Sequence, residues 1–327
     1  MNRRYAAYLA LGLNAVLFGT YYGVAKDALR RIDPLVFTAV EQLALVPATV
    51  ALLWQARRQL TGAVVRWGVL LGTCLAGAFI VLASALASAS ASSTAFFPAL
   101  SGVLAALLTG LLRWRRPARH TLAAGILSLC GALLLIATAP AAGVHGTLLA
   151  AMGTLLFTAY VMLTEWAPPA APRAALAALE LLTMTLVVPV AALRWGDWAA
   201  FHPALPHDGL IVLYVAGACT LVPVLLTVRF QAEIAGVTAA FIYTLEPLVG
   251  ALVAHLYDGE ALPLLSYVAG ALVVGGTLLH SWGARDRPRP ARDWRRATHR
   301  RMAYRLAPPT LPTQPARPMA RRNPAIR

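Results

Sequence analysis

The chain has 327 residues, of which 59% are hydrophobic and only 13% charged, with a mean hydropathy of +0.67. A soluble domain is about half apolar, so this composition excludes one and indicates a polytopic membrane protein. The formal charge of +15 does not indicate nucleic-acid binding, because residues 283–327 hold 13 arginines against Asp286 and Asp293, which is +11 of the total; no zinc-finger spacing or other nucleic-acid motif accompanies them.

The N-terminal Arg3-Arg4 precedes an apolar run that continues to Val24 without a convincing cleavage site, so it reads as an uncleaved first spanning helix rather than a signal peptide. Apolar runs bounded by charge, proline or glycine predict ten spans: Tyr5 to Val24, Pro34 to Trp54, Val65 to Ala87, Ser90 to Leu112, Thr121 to Thr138, Gly146 to Thr164, Ala174 to Leu193, Gly209 to Val228, Gly236 to Tyr257 and Ala261 to Ser281. At ~1.5 Å per residue such runs cross a ~30 Å hydrocarbon core. Residues 87–92, Ala-Ser-Ala-Ser-Ala-Ser, are the small-residue stretch where the long run from Val65 to Leu112 must turn. Only Asp258-Gly259-Glu260 separates the last two runs, so they are expected to form a tight antiparallel hairpin. Cys74, Cys130 and Cys219 lie apart in apolar runs, with neither metal-ligand nor disulfide spacing, and read as small buried side chains.

Loop charge sets the orientation. Arg3, Arg4, Arg57, Arg58, Arg66, the cluster Arg113 to Arg119, Arg173 and Arg229 fall on one side, against Lys26, Arg30, Arg31 and Arg194 on the other. Both termini are therefore expected in the cytoplasm of a cell with this protein in its inner or plasma membrane. The tail from 283 onward, with eight prolines among its arginines, is expected to be disordered and to meet anionic lipid.

The last two spans have a faint copy 145 positions earlier. Phe241 falls on Phe96, Gly270 on Gly125 and Gly276 on Gly131. At a shift of 139, Leu17-Phe18 with Tyr21 falls on Leu156-Phe157 with Tyr160, and at 138, Pro34 to Gln42 falls on Pro172 to Glu180. Five spans per copy is an odd number, so the second copy enters the membrane from the opposite side. The reading is two inverted repeats, residues 1–140 and 141–282, followed by the basic tail 283–327.

Leu17-Phe18-Gly19 with Lys26 and Pro34, then Gly146 with Phe157, Ala159 and Tyr160, and above all Leu245-Glu246-Pro247 with Gly259-Glu260, resemble the EamA type of the drug/metabolite transporter superfamily over about residues 5–282. The resemblance implies ten helices in two inverted five-helix repeats and a central cavity used in alternating access. It also implies export of amino acids or other small metabolites, or carriage of drugs or nucleotide sugars. Three positions depart from the family's usual pattern: Phe18 stands for a frequent tryptophan, Gln42 for an arginine and Arg115 for a glutamate.

Charged and polar residues inside spans are costly and tend to be functional. Glu180 lies about two turns into its span and its repeat mate is Gln42; Glu41 lies beside it, and adjacent helical residues point about 100° apart, so one of that pair is expected to face the cavity. Glu246 precedes Pro247, where a carboxyl suits proton coupling or a hydrogen bond to backbone freed by the proline. Tyr21, Phe96, Phe241 and Tyr243, with Tyr22 and Phe97, come from repeat-equivalent spans and are candidate cavity walls for a partly apolar solute. Glu260, Lys26 and His255 sit near span ends and read as interfacial anchors or loop salt bridges. No metal, cofactor or GxxxxGK[ST] loop is apparent, and the chain reads as a non-enzyme secondary transporter of a small solute, proton-coupled or facilitative. The rivals are a membrane enzyme acting on lipid-linked substrates, which wants paired acids or histidines on its loops, and a structural or signalling membrane protein, which moves no solute.

Overall fold

The computed structural model describes residues 3–112, 118–138, 143–168, 171–230, 242–243, 245–259 and 263–285. The chain divides at Asp286; the second unit, Arg287–Arg327, holds most of the tail and lies outside the described residues. Within the described residues the first unit is all helical. In chain order its α-helices are α1 (Arg3–Ala28), α2 (Pro34–Ala44), α3 (Val46–Ala56), α4 (Gly62–Ser88), α5 (Ala91–Phe96), α6 (Ser101–Leu112) and α7 (Arg119–Thr138). They continue as α8 (Val144–Trp166), α9 (Arg173–Trp195), α10 (His207–Tyr214), α11 (Val222–Phe230), α12 (Leu245–Asp258) and α13 (Leu264–Arg285).

Among the described residues, six helices are long and apolar enough to cross a membrane, seven when α2 and α3 are counted as one bent span, and shorter apolar helices accompany them. Outward faces are as apolar as the interior: Leu9, Ile126 and Val190 are 68%, 65% and 64% exposed. A surface of this kind is stable against lipid and not against water, so the chain is a multi-pass membrane protein.

Prolines decide where expected single spans break. The run Pro34 to Trp54 is not one straight helix: α2 and α3 meet at a 48° bend. Pro47 has no N–H to donate, and Leu45 N bonds to Gln42 O at 3.1 Å, one residue short of the α-helical partner. The run Ser90 to Leu112 is likewise divided, by a tighter turn over Phe97–Leu100 that contains Pro98. Ser90 starts α5 by accepting from Ser93 N at 3.1 Å, which locates the expected turn in the Ala-Ser stretch. Asp33 does the same for α2, accepting from Leu35 N and Val36 N at 3.0 Å with Pro34 at the first helical position. Between α10 and α11 the helix widens to a π-helical stretch, Val215–Leu221.

Glycines set which helices touch. Added methyl groups at Gly19 and Gly23 of α1 would meet Val249 and Val253 of α12 at 2.8 and 2.7 Å. Methyls at Gly68 and Gly72 of α4 would run into Leu179 and Thr183 of α9, and one at Gly131 of α7 would meet Ala269 O of α13 at 2.6 Å. Four-residue spacing of small residues is the usual device for close helix approach in a membrane. It also corrects the expectation for the last two spans. Gly259, just past α12, takes a left-handed φ of +65°, but the two arms find different neighbours, α12 against α1 and α5, and α13 against α7. Other main pairings are α4 with α8 and α9, α2 and α3 with α9, α6 with α8, α1 with α11, and α10 with α2.

Candidate functional site

A narrow, mostly apolar cavity lies among α1, α4, α8 and the Pro98 turn, lined by Phe18, Phe79, Leu82, Pro98, Thr154 and Phe157 with Ala78 and Gly153. Its walls are built by helix geometry. Phe18 rests edge-on to Phe79 with ring centroids 5.9 Å apart, and Gly153 keeps α8 low enough to leave room opposite α4. Thr154 is the one hydroxyl in the wall, and it donates to Ala150 O one turn back at 2.9 Å.

Behind two of the wall phenylalanines stand tyrosines, and beyond the tyrosines stand carboxyls. Phe18 stacks on Tyr21 at 5.9 Å and meets Tyr22 edge-on at 6.1 Å; Tyr22 donates to Glu246 Oε1 at 2.8 Å. Phe157 lies 5.8 Å from Tyr160, which donates to Glu180 Oε1 at 2.8 Å. Tyr243 stands within electrostatic reach of both Glu246 and Tyr160, and Tyr21 within reach of Glu41. Glu41 accepts from Thr220, held in the π-helical stretch, at 2.6 Å and from Gln42 Nε2 at 3.4 Å. These residues form one buried band of alternating tyrosines and carboxyls. Among the described residues, the second oxygen of Glu41 and the carbonyl of Gln42 have no hydrogen-bond partner. A buried polar atom left unpaired costs about 1–3 kcal/mol, so the band is held in place by packing as well as by its own bonds.

A second polar cluster sits at one end of the bundle. Arg31, in the turn after α1, donates to Asp208 through Nη2 at 2.6 Å and Nε at 3.1 Å, and to Asp27 through Nη2 at 2.9 Å and Nη1 at 3.2 Å. The hydrogen bonds from Asp208 and then Asp27 push the already high pKa of Arg31 further up. Asp208 also accepts from Ala204 N at 2.7 Å. Lys26 points the other way and donates to Leu86 O and Ala89 O, each at 2.6 Å, at the end of α4. Lys26, expected near a span end, thus caps carbonyls that the end of a helix leaves unpaired. Asp27, His207 and Asp208 lie close enough to share an ion, but the Arg31 guanidinium already occupies both carboxylates.

Of the residues singled out from sequence, Tyr21, Glu41, Gln42, Glu180, Tyr243 and Glu246 are brought together in this band. Glu41 and Gln42 are both fully buried, and neither lines the cavity, in contrast to the expected division of the pair. Phe96 and Phe97 pack in a separate core with Leu100, Ala132 and Val273, where the Phe96 ring lies over Gly270. His255 is exposed on α12. Phe241 and Glu260 lie outside the described residues. The cavity wall itself, Phe18, Phe79, Pro98 and Phe157, was not singled out. The signal was present for two of them, since Phe18 and Phe157 are repeat mates at a shift of 139.

Residues 5–137 match the model of the EamA-like transporter family. No curated protein matches the chain. Fourteen chains of solved structures match it in fold. One, a crystal structure described only as that of a protein, superposes with a TM-score of 0.61 over 87% of this chain and 100% of its own, at 19% identity. At that identity the likeness speaks for the fold alone.

Proposed function

Starting from residues 5–137 as an EamA-like transporter domain, we propose that the whole chain is a secondary membrane transporter, exporting a small metabolite by alternating access around the central cavity. EamA-like transporters are generally not enzymes. The reading takes the chain as ten spans in two inverted repeats, residues 1–140 and 141–282, with both termini cytoplasmic in an inner or plasma membrane. Three of those spans are built from two helices each: α2 with α3, α5 with α6, and α10 with α11.

The observation that carries the reading is that most of the main helix pairings survive when every span is moved on by five. The contact of α4 with α8 becomes that of α10 and α11 with α1; α1 with α12 becomes α8 with α6; and α4 with α9 becomes α10 with α2. The pairs α2 with α9, α5 with α12 and α7 with α13 map onto themselves. Exchange of this kind is what two copies of one five-helix unit produce, and it gives the bundle two near-equivalent arrangements to rock between. Phe18 and Phe157, one from each copy, face the same cavity. The solute therefore sits where the copies meet, and a proton or other coupling ion has Glu180, Glu246 and Glu41 available one or two side chains away.

The test is uptake and efflux of a labelled metabolite panel, amino acids included, in proteoliposomes with and without a proton gradient, for the parent, Glu180→Gln and Glu246→Gln. Gradient-driven flux abolished in one variant identifies the coupling carboxyl. Flux indifferent to the gradient makes the protein a facilitator, and absence of flux for every solute removes the transporter reading.

A further inference from the structure

Tyrosine hydroxyls hold Glu180 and Glu246, but Glu41 is held differently. Its side chain is fully buried on α2. Its Oε1 accepts from Thr220 Oγ1 at 2.6 Å and, at the long distance of 3.4 Å, from Gln42 Nε2. Among the described residues its Oε2 has no partner, and neither has the carbonyl oxygen of Gln42 beside it. Two sealed acceptors make a poor setting for a carboxylate, because an unpaired buried charge costs far more than an unpaired neutral oxygen. Among the described residues no Lys or Arg pairs with Glu41 to offset that cost. Facing it from neighbouring elements are Tyr21 of α1 and Cys219 of the π-helical stretch, both within electrostatic reach. On the other helices packed against α2, Glu180 of α9 is bonded to Tyr160, Cys74 of α4 to Leu156 O and Asp208 of α10 to Arg31. A single proton removes the charge and the mismatch together: a half-turn of the Gln42 amide exchanges its nitrogen for its carbonyl, which then accepts from the Glu41 O–H. The surroundings are those of a moving part. Thr220 lies in the π-helical stretch Val215–Leu221, 179 residues from Glu41, and such stretches are frequent at functional sites. Just beyond Gln42 the chain bends by 48° between α2 and α3. The bond from Thr220 to Glu41 thus joins the two proposed repeats where both backbones depart from the regular α-helix.

We propose that Glu41 carries an exchangeable proton in this conformation and is the coupling carboxyl of the transport cycle. When the repeats part and water reaches the site, the proton passes from the Glu41 O–H to water and on to the buffer, leaving a hydrated carboxylate; a proton taken up from the other side restores the neutral acid before the repeats close again. A metal cation is the poorer occupant, because it needs a shell of several oxygens and the site offers two unpaired ones. The proposal rests on the transporter reading for the coupling, whereas the proton itself is measured without flux.

The experiment is infrared spectroscopy of the full chain in lipid nanodiscs without solute, at a pH near 7, where solvated glutamates, which titrate at about 4.3, are ionised. The readout is the carbonyl stretch of protonated carboxyls. Glu41→Gln is expected to remove one carboxyl equivalent of that band. Thr220→Val, which strips the donor to Oε1, is expected to move the same component to higher frequency without removing it, and it decides the question if the Gln variant is not recovered. A band that Glu41→Gln does not diminish, or that Thr220→Val does not move, overturns the proposal. So does loss of the Glu41 component when sodium replaces choline at fixed pH, which makes the site one for a metal cation. In proteoliposomes with the labelled metabolite panel, Glu41→Gln is expected to lower gradient-driven flux at least about tenfold while solute exchange at equal pH on both sides persists. Gradient-driven flux undiminished in Glu41→Gln, or parent flux that ignores the gradient, overturns the coupling role and leaves the transporter reading standing. A Glu41 band with no flux of any solute removes the transporter reading and leaves the proton site standing.

Discussion

Helices α1 and α8 carry the same short pattern, Leu-Phe followed three residues later by Tyr, and use it in two different ways. On α8, Phe157 faces the cavity and Tyr160 reaches Glu180, only 20 residues further along the same half of the chain. On α1, Phe18 faces the cavity, but the hydroxyl that reaches a carboxyl belongs to Tyr22, and its partner Glu246 is 224 residues away. Tyr21, which the 139-residue shift places on Tyr160, is stacked under Phe18 and stands beside Glu41, whose own donor, Thr220, is 179 residues away. One polar tie therefore closes within a half and two close between halves. In the proposed rocking of two repeats, a tie within one repeat would travel with its helices, while a tie between repeats would be remade in each cycle.

The comparison is broken outright by wedging apart the helices that hold the two carboxyls. Gly72→Leu drives α4 off α9 at Glu180, and Gly19→Leu drives α1 off α12 at Glu246, whose carbonyl an added methyl would meet at 2.8 Å. Each is expected to cost about 3 kcal/mol or more, read as lost monodisperse protein and a lowered thermal midpoint. Gly12→Leu, where nothing lies within 4 Å of an added methyl, is expected to leave the midpoint unchanged. Equal tolerance of all three substitutions contradicts the packing described.

The comparison is sharpened by removing single hydroxyls. Tyr22→Phe and Tyr160→Phe each strip a buried carboxyl of its donor, at about 1–3 kcal/mol. Tyr22→Phe is expected to lower flux about tenfold, equivalent to ~1.4 kcal/mol on the barrier, and Tyr160→Phe by less, because only the former tie joins the halves. A double-mutant cycle of Tyr22→Phe with Glu246→Gln is expected to show coupling on the order of 1 kcal/mol. Equal flux in the two tyrosine variants contradicts the distinction.

Much of the helical order was legible before any coordinates, because apolar runs of membrane length carry their own boundaries. The breaks within spans were less so. Pro47 and Pro98 are visible in the sequence, but whether a proline bends a helix or sits harmlessly in its first turn depends on which carbonyl it faces, as the contrast with Pro34 at the start of α2 illustrates. The carboxyls at positions 41, 180 and 246 stood out because charge in a span is rare. Their pairing with tyrosines did not, since nothing local ties Tyr22, a candidate cavity wall, to a carboxyl 224 residues distant. The cavity wall was hidden for a third reason. In uniformly apolar helices a phenylalanine that faces a void looks like one that faces lipid, and Phe96, which packs on Gly270, looks like Phe18, which does not.

Smaller effects are expected away from the band. Arg31→Gln leaves Asp208, 1% exposed, without its guanidinium; with Arg31 itself partly solvated, the cost is about 1–2 kcal/mol, read as a lowered thermal midpoint. Removing residues 286–327 is expected to leave solute flux intact and to weaken binding to anionic vesicles, an effect that salt should mimic. Unchanged vesicle binding overturns the lipid role of the basic tail.

Alternating access is tested most directly by one cysteine in the cavity. With Cys74, Cys130 and Cys219 replaced by alanine and Gly153→Cys introduced, a membrane-impermeant thiol reagent is applied to right-side-out and to inverted vesicles, with and without solute. The account predicts labelling from both sides, with solute raising one rate as it lowers the other. Labelling from a single side, indifferent to solute, would contradict it.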